Sequence, residues 1–467
     1  MTMWTAAIDW PPPLALRSRN HYLDGEQGPP NMSSPRTKRI VASILHSPNL
    51  AVAVAFTLRI TLLWLSHHHE DRSHPRFEAF GLEELLVALS LAHGKGFFGP
   101  YPGYDAFTAC LAPVYPFLWA IGIKLFSLSA SSAMVLAQGM NCVFSAATCW
   151  PIFAIGKRVF GEKLGLASAW FWAFLPYAVL MPLEWAWDQS LAALLLVLIV
   201  LATFALRESD SSLSWTGYGL LWAFTALTNP TLCLLLPFFL GWLIVRKSWN
   251  GGRTLMLGAR AVFIFVLALL PWAIRNYYVI DGLVFVKSNF GMELWLGNNP
   301  AVNKIYSPEL HPFDNLPQRM SLILSGEPNY NRERQRQAIA YIESHPRTFL
   351  KNLSDRFEDT WAATYDSGAE AWIVTLRLGR ADVWFCTAFS VLSFAGLILS
   401  LFAGWADSLP LAMCLLLFPI PYYVTHTALR YRHPIDPFMT IFAVYAITRF
   451  LAIFVKRPRH VPSKQHP

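Results

Sequence analysis

The sequence predicts an all-α polytopic membrane protein of about ten transmembrane helices, with interfacial helices in its first outer loop and a small mixed insert on the same face. Three observations predict it. Of 467 residues, 54% are hydrophobic and only 14% charged, with a mean hydropathy of +0.37, where a soluble chain carries about 25% charged residues. The apolar residues gather into runs near the ~20 that cross a ~30 Å hydrocarbon core. Several short loops between those runs are basic, as cytoplasmic loops are. A soluble enzyme, a disordered scaffold and a coiled coil are excluded.

Taken in order, residues 1–46 are polar and broken by Pro11, Pro12, Pro13, Pro29, Pro30 and Pro35, with basic Arg17, Arg19, Arg36, Lys38 and Arg39. They hold no apolar core followed by a small-residue cleavage site, so the expectation is a disordered cytoplasmic tail before an uncleaved signal anchor. Eleven apolar runs follow: 48–67, 112–128, 133–154, 164–183, 188–206, 214–228, 231–246, 258–275, 383–403, 409–427 and 434–455. The loops holding Lys157, Arg158 and Lys163, then Arg246, Lys247 and Arg260, and the tail with Lys456, Arg457 and Arg459 should all be cytoplasmic. Eleven crossings would put the Lys157 loop outside. Run 112–128 is short and opens Pro113-Val114-Tyr115-Pro116, so it reads as a helix on the outer interface, leaving ten spans with both termini inside.

The expected organisation is a tail (1–46), an N-terminal transmembrane catalytic module (47–275, first outer loop 68–132), an outer insert (276–382), C-terminal transmembrane helices (383–455) and a second tail (456–467). Within the insert, 331–359 has helical spacing (Ala338, Ile339, Ile342, Phe349, Leu350, Leu353, Phe357), whereas 283–296 reads as short strands or extended chain. The net charge of +8 fits loops that meet anionic lipid. No basic run interleaved with aromatics points to nucleic acid. Cys142, Cys149, Cys233, Cys386 and Cys414 lie in apolar runs and Cys110 in a loop, so no disulfide framework and no CxxC metal site is expected.

Chemistry concentrates on the outer face. In the first loop, Leu82, Leu85, Leu86 and Leu89 line one side of a helix that can rest on the membrane, and Glu83 and Glu84 occupy its first turn. Two readings stand: carboxylates that complement a helix dipole, or a general base for a hydroxyl. Glu184-Trp185-Ala186-Trp187-Asp188 at a junction of two runs reads either as a solvated interfacial turn or as a second acidic site. Arg275, and the Arg430-Tyr431-Arg432-His433-Pro434 segment, either snorkel to headgroups or clamp a lipid-linked phosphate through charge-assisted bonds. Arg59, inside the first span, is read as structural. His67-His68-His69-Glu70-Asp71 is a weak metal pattern, because adjacent residues on a helix diverge. No cofactor is assigned; a divalent metal is not indicated.

These residues form an ordered set. Ala88-x-x-Leu91-x-x-Gly94-x-Gly96 with Phe97, Ala112–Pro116, Asp188-x-x-Leu191, Leu227-Thr228-Asn229-Pro230, Pro271-Trp272-x-Ile274-Arg275-Asn276-Tyr277 and Arg430–Pro434 together resemble bacterial GT-C integral membrane glycosyltransferases over roughly 48–455. That family includes protein O-mannosyltransferases and the aminoarabinose and galacturonic acid transferases. The resemblance implies a polyprenyl-phosphate sugar donor and inverting transfer, on the periplasmic face of a bacterial inner membrane, to a hydroxyl of a glycolipid, envelope polysaccharide or protein. It implies a first-loop carboxylate as base and basic residues on the departing lipid phosphate. The sequence departs from the pattern once: the Asp-Glu pair of many relatives falls on Phe80 and Gly81. Glu83, one turn on, takes that role here with Asp188 as the second acid; Glu78, Glu84 and Glu184 are held in reserve. The phosphate set is Arg275, Arg430, Arg432 and His433. A transporter or flippase of lipid-linked sugar is the alternative, although the runs hold few ionisable groups beyond Arg59 and show no paired halves.

Overall fold

The computed structural model describes residues 47–69, 81–247, 251–303, 305–364, 380–404 and 406–455. The expectations for both tails, and for Glu70, Asp71 and Glu78, lie outside the described residues. The first span, α1 (Pro48–His69), is apolar except for Arg59 and the histidines at its end. The Arg59 guanidinium is fully buried and donates to Ser145 Oγ (3.0 Å) and to the carbonyls of Ala55 (3.0 Å), Ala173 (3.1 Å), Ala178 (3.1 Å) and Trp172 (3.3 Å). An isolated cation among helices is expensive; five acceptors from neighbouring turns offset that cost and staple α1 to the bundle.

The first loop contributes α2 (Leu82–Ala92) and α3 (Val114–Phe126), and the next apolar stretch folds as α4 (Ala130–Ala147) running into α5 (Cys149–Phe160). The apolar side of α2 packs on protein. Leu85 and Ala88 are buried against Tyr115, Trp119, Ala133 and Ala137, so the stripe serves tertiary packing. Helices α5 and α6 (Glu162–Phe174) form a tight hairpin. Gly156 and Gly165 face each other so closely that a Cβ on Gly156 would lie 2.8 Å from Gly165 Cα, the small-residue contact by which membrane helices gain packing area. Helix α7 (Pro176–Glu184) follows at a bend of 43°, where Pro176 stops the preceding helix.

Next come α8 (Gln189–Glu208), α9 (Ser212–Ala226), a 3-10 turn (Pro230–Leu235), α10 (Leu236–Arg246) and α11 (Gly251–Ile280). The insert holds α12 (Phe290–Gly297), α13 (Leu316–Ser325), α14 (Glu327–Ser344) and α15 (Pro346–Ala362). The chain closes with α16 (Arg380–Phe402), α17 (Leu409–Leu417), α18 (Ile420–Val424), α19 (Leu429–Arg432) and α20 (Asp436–Val455). The core between these helices is aromatic, with Trp172, Trp215, Trp222, Phe204, Phe239, Phe418 and Phe438 buried.

Three expectations need correction. Among the described residues, seven helices are long and apolar enough to cross a membrane, or eight counting the bent α6–α7 pair, not ten. Runs 214–228 and 231–246 form helices of 15 and 11 residues, the second preceded by six residues of 3-10 helix. At 1.5 Å per residue the first is only about 22 Å long, because Asn229-Pro230 interrupts an otherwise continuous apolar stretch. The insert is not mixed: no strand forms among the described residues, and the one antiparallel bridge pairs Phe98 with Phe107 in the first loop. Residues 290–297 are helical rather than strand or extended chain, because a short apolar run fits either period. Finally, the helix expected over 331–359 is two helices, broken at His345-Pro346 as a proline dictates.

Candidate active site at the seam of the first loop and the insert

Gly81 starts the site. Its φ is +109°, and a Cβ there would lie 2.7 Å from the Ala186 carbonyl oxygen. Only glycine enters this conformation and this gap, so the N-terminus of α2 lies directly against the Trp185–Trp187 turn. The contact also explains why no acidic side chain stands at position 81. The carboxylates appear in the first turn that follows, at Glu83 and Glu84. From the opposite side the turn is held by Asn141, whose amide donates to the carbonyls of Trp185 (2.9 Å) and Trp187 (3.0 Å). Asp188 then stands at the N-terminus of α8 and accepts a hydrogen bond from Asn229 in the α9–α10 connection.

Glu84 is 6% exposed, and its Oε2 has no hydrogen-bond partner among the described residues. Burial, followed by the nearby charge of Asp188, pushes its carboxyl well above the ordinary range. Asp188 is raised to about 6 by burial, with Lys287 and the Asn229 bond pulling it back. Glu83 is raised to about 7 by burial and then by Glu293, while Lys287 and Arg430 oppose the rise. Glu83 and Glu84 share one helical turn and Asp188 comes from a second stretch of chain; the like charges of Glu84 and Asp188 oppose ionisation of both.

The insert and the last helices close the other walls. His311 Nε2 lies 3.6 Å from Glu83 Oε1. Glu293 accepts from Asn289 (2.7 Å) and faces His426 at 3.6 Å. His426 stacks on Tyr306 with centroids 4.8 Å apart, and burial followed by the charges of Arg356 and Arg430 lowers it to about 3, so it is neutral. The Arg430 guanidinium lies over Trp187 (4.5 Å) and Trp185 (4.8 Å), and its charge reaches Glu83, His311 and His426. Cation–π contacts hold it in place. Glu184 lines a small recess with Trp185 and Arg430, one turn back from the cluster.

Of the four residues expected to hold a phosphate, Arg430 reaches the cluster and the other three are placed differently. Arg275 donates to the carbonyls of Thr108 (2.6 Å) and Phe97 (3.0 Å) and to Asn276 (2.9 Å), amid Phe97, Phe107 and Trp272. It braces the first loop. Arg432 is 2% exposed, paired with Asp436 at 3.0 Å and bonded to the Thr360 carbonyl at 3.1 Å. His433 is wholly buried between Trp172 and Tyr177. Successive residues around a helix point in different directions, so the five-residue motif delivers one cation to the site and two groups to the core.

Lys287, Glu293, His311 and His426 were not found by sequence reasoning. The first two lie in a stretch read from the sequence as short strands or extended chain. The others lie far along the chain without a local pattern. At the end of α1, His67 meets Gln138 (3.0 Å) and His68 the Trp64 carbonyl (2.9 Å), on diverging sides of the helix. Among the described residues, no group of three or more His, Cys, Asp or Glu side chains is placed to hold a metal ion.

Residues 111–272 match the family model described as dolichyl-phosphate-mannose-protein mannosyltransferase. That segment includes Asp188 and Asn229 and ends just before Arg275. Among solved structures, the oligosaccharyltransferase AglB of Archaeoglobus fulgidus, in complex with an inhibitory peptide and a dolichol-phosphate, superposes with a TM-score of 0.55 at 13% identity, covering 93% of this chain and 53% of that one. The same organism's oligosaccharyltransferase tethered to an acceptor peptide superposes with a TM-score of 0.52 at 14% identity, covering 89% and 50%. The chain thus spans about half the length of the solved chains it matches. No curated protein matches it. The superposition shows that this multi-pass membrane protein shares the fold of those oligosaccharyltransferases. Its mannosyltransferase-type segment bears out the resemblance carried by the motifs.

Proposed function

We propose that the protein is a membrane glycosyltransferase that moves a sugar from a polyprenyl-phosphate donor to a hydroxyl acceptor, with inversion, at the seam of the first loop and the insert. The observation that carries this reading is the first turn of α2, where Glu84 is buried within reach of the Asp188 charge and neighbouring Glu83 is within reach of Arg430, in a chain with a segment matched by a mannosyltransferase model. A carboxylate near neutrality takes the proton from the acceptor hydroxyl as its oxygen attacks the anomeric carbon. The bond from that carbon to the phosphate oxygen breaks, and the lipid phosphate leaves with the electron pair. Arg430, fixed on its tryptophans, meets the developing charge without reorganising. Glu83 and Asp188 are the candidate bases. Glu84, pushed toward its protonated form by burial and with no partner at Oε2 among the described residues, is suited to donate to a sugar oxygen. The acceptor is a glycolipid, an envelope polysaccharide or a protein, and the face carrying the insert is the periplasmic one.

The test is transfer of labelled sugar from polyprenyl-phosphate donors to a cell-envelope extract by purified wild type, Glu83→Gln and Asp188→Asn. Wild-type transfer that falls at least about 100-fold in either folded variant supports the reading, the usual size of a general-base contribution. Transfer that survives both substitutions moves the base elsewhere. A folded wild type that transfers from no donor would overturn the reading and favour transport of lipid-linked sugar.

A further inference from the structure

His311 reaches Glu83 from the insert through a turn that fixes which ring nitrogen carries the proton. The two segments are clamped together by the buried Glu327, at the start of α14. It accepts from Thr108 Oγ1 (2.6 Å) and Ala109 N (2.9 Å) of the first loop, and from Ser288 Oγ. The chain leading into α13 is braced on itself. His311 N donates to the Pro308 carbonyl (2.9 Å), and the His311 carbonyl accepts from Asp314 N (3.1 Å) and Asn315 N (2.9 Å). Asn315 then caps α13 by accepting from Gln318 N (2.9 Å). Inside this turn Phe313 N donates to His311 Nδ1 (3.2 Å). A ring nitrogen that accepts from a backbone N–H carries no proton, so in the neutral imidazole the proton is on Nε2. Nε2 is the nitrogen that lies 3.6 Å from Glu83 Oε1. Tyr101 meets the ring edge-on, with centroids 5.8 Å apart, and its own hydroxyl contacts Cys110 Sγ at 3.1 Å.

We propose that His311 is the orienting partner of Glu83: its Nε2–H holds one carboxylate oxygen while the other takes the proton of the acceptor hydroxyl. The inference rests on the proposed transferase reading and names the group that aims its base. At 3.6 Å the pair stands just beyond hydrogen-bond length, as catalytic contacts often do until substrate closes the site. The His311 and Glu83 side chains are 23% and 19% exposed, so a hydroxyl can reach them. The ring is neutral in this role. Burial lowers it, and Arg430 acts the same way, against Glu293 and Asp314. Around Glu83, Glu293 and Asp314 oppose ionisation while Lys287 and Arg430 favour it. The proton passes from the acceptor oxygen to Glu83, and His311 keeps its own. His311 is therefore a positioning residue that acts through the carboxylate.

The two ring nitrogens can be replaced separately. In His311→Asn the amide oxygen falls where Nδ1 stood and still accepts from Phe313 N, but no donor reaches Glu83. In His311→Gln the amide nitrogen falls near Nε2 and still donates to Glu83, but the turn loses its acceptor. Sugar transfer from polyprenyl-phosphate donors to a cell-envelope extract is measured for purified full-length wild type and both variants. The expected result is a kcat at least about tenfold lower in His311→Asn, with most of it recovered in His311→Gln. The reverse order, or wild-type turnover in both, would confine His311 to the turn and overturn the proposal. Nitrogen-15 histidine NMR of wild type and Glu83→Gln reads the same pair without activity, the His311 signal being assigned by its loss in His311→Gln. At about pH 8 wild type should carry the proton on Nε2 and none on Nδ1. Its Nε2 signal should also move near pH 7, where Glu83 titrates, and that transition should vanish in Glu83→Gln. A proton on Nδ1, or a transition indifferent to Glu83→Gln, overturns the proposal even where His311→Asn does not fold. A wild type that transfers no sugar, yet shows the Nε2–H form and the Glu83-dependent transition, defeats the transferase reading and leaves the pair standing.

Discussion

Glu83 shows how one residue carries opposing demands. Its carboxyl, raised from 4.5 to about 7 by burial and by Glu293, binds a proton more tightly in the folded chain than in the unfolded one. Stability from this group is therefore fully present below about pH 4.5 and is lost as pH rises through 7, the reverse of a salt-bridged acid. The Glu83→Gln variant should be more heat-stable than wild type at pH 8, by about 1–3 kcal/mol, and little changed at about pH 5, while losing transfer. Thermal unfolding in detergent at the two pH values checks this; a variant destabilised at the higher pH would show that the ionised carboxylate is well paired. The same reasoning separates the arginines. Arg275, Arg432 and Arg59 spend their donors on backbone carbonyls and a buried carboxylate. Arg430 lies on ring faces and directs its charge at the cluster.

At the scale of elements, α2 is the part whose placement the proposed chemistry depends on. Its position depends on Gly81 meeting the Ala186 backbone and on the burial of Leu85 and Ala88 against α3 and α4. A Gly81→Ala substitution strains a positive φ and inserts a methyl group into a closed gap, costing about 1–3 kcal/mol. It should move Glu83 and Glu84 away from Asp188 and lower transfer at least about tenfold, with helix content by circular dichroism unchanged. A wild-type rate would show that α2 is positioned by its apolar face alone. The amphipathic pattern of α2 was legible in the sequence, but which surface it covers was not. An apolar stripe satisfies lipid and protein equally, and only the presence of Tyr115 and Trp119 opposite it selects protein.

For the whole molecule, the two ends of the bundle differ in charge chemistry. The end opposite the cluster carries Arg207–Asp407 at 2.5 Å, Arg246–Asp407 at 3.6 Å, Lys247–Asp210 at 2.7 Å and Arg158 with Glu208. These basic loops are the ones the charge rule assigns to the cytoplasm. With the insert periplasmic, a cysteine introduced at exposed Arg332 should react with a membrane-impermeant maleimide in intact cells, and one at exposed Lys163 only after permeabilisation. The opposite labelling would invert the proposed topology. Shorter connections also alter the span count: Asn229-Pro230 divides what hydropathy reads as two crossings into helices of 15 and 11 residues, because hydropathy measures composition and cannot see where a hydrogen-bonded helix stops.

By itself the sequence determined the apolar, helical character of the chain, the ordered motifs that resemble GT-C glycosyltransferases and the candidate acids Glu83, Glu84 and Asp188. Those follow from composition and local spacing, which are properties of adjacent residues. Only the tertiary structure decided that Arg430 comes within reach of Glu83 while Arg432 and His433 turn into the core, that Arg275 braces a loop, and that His311 stands by Glu83 and His426 by Glu293. Each of those depends on which distant segments meet. Such meetings are decided by close backbone approach at Gly81 and by the buried Glu327 clamp, contacts between residues far apart in the chain that leave no periodic trace in it.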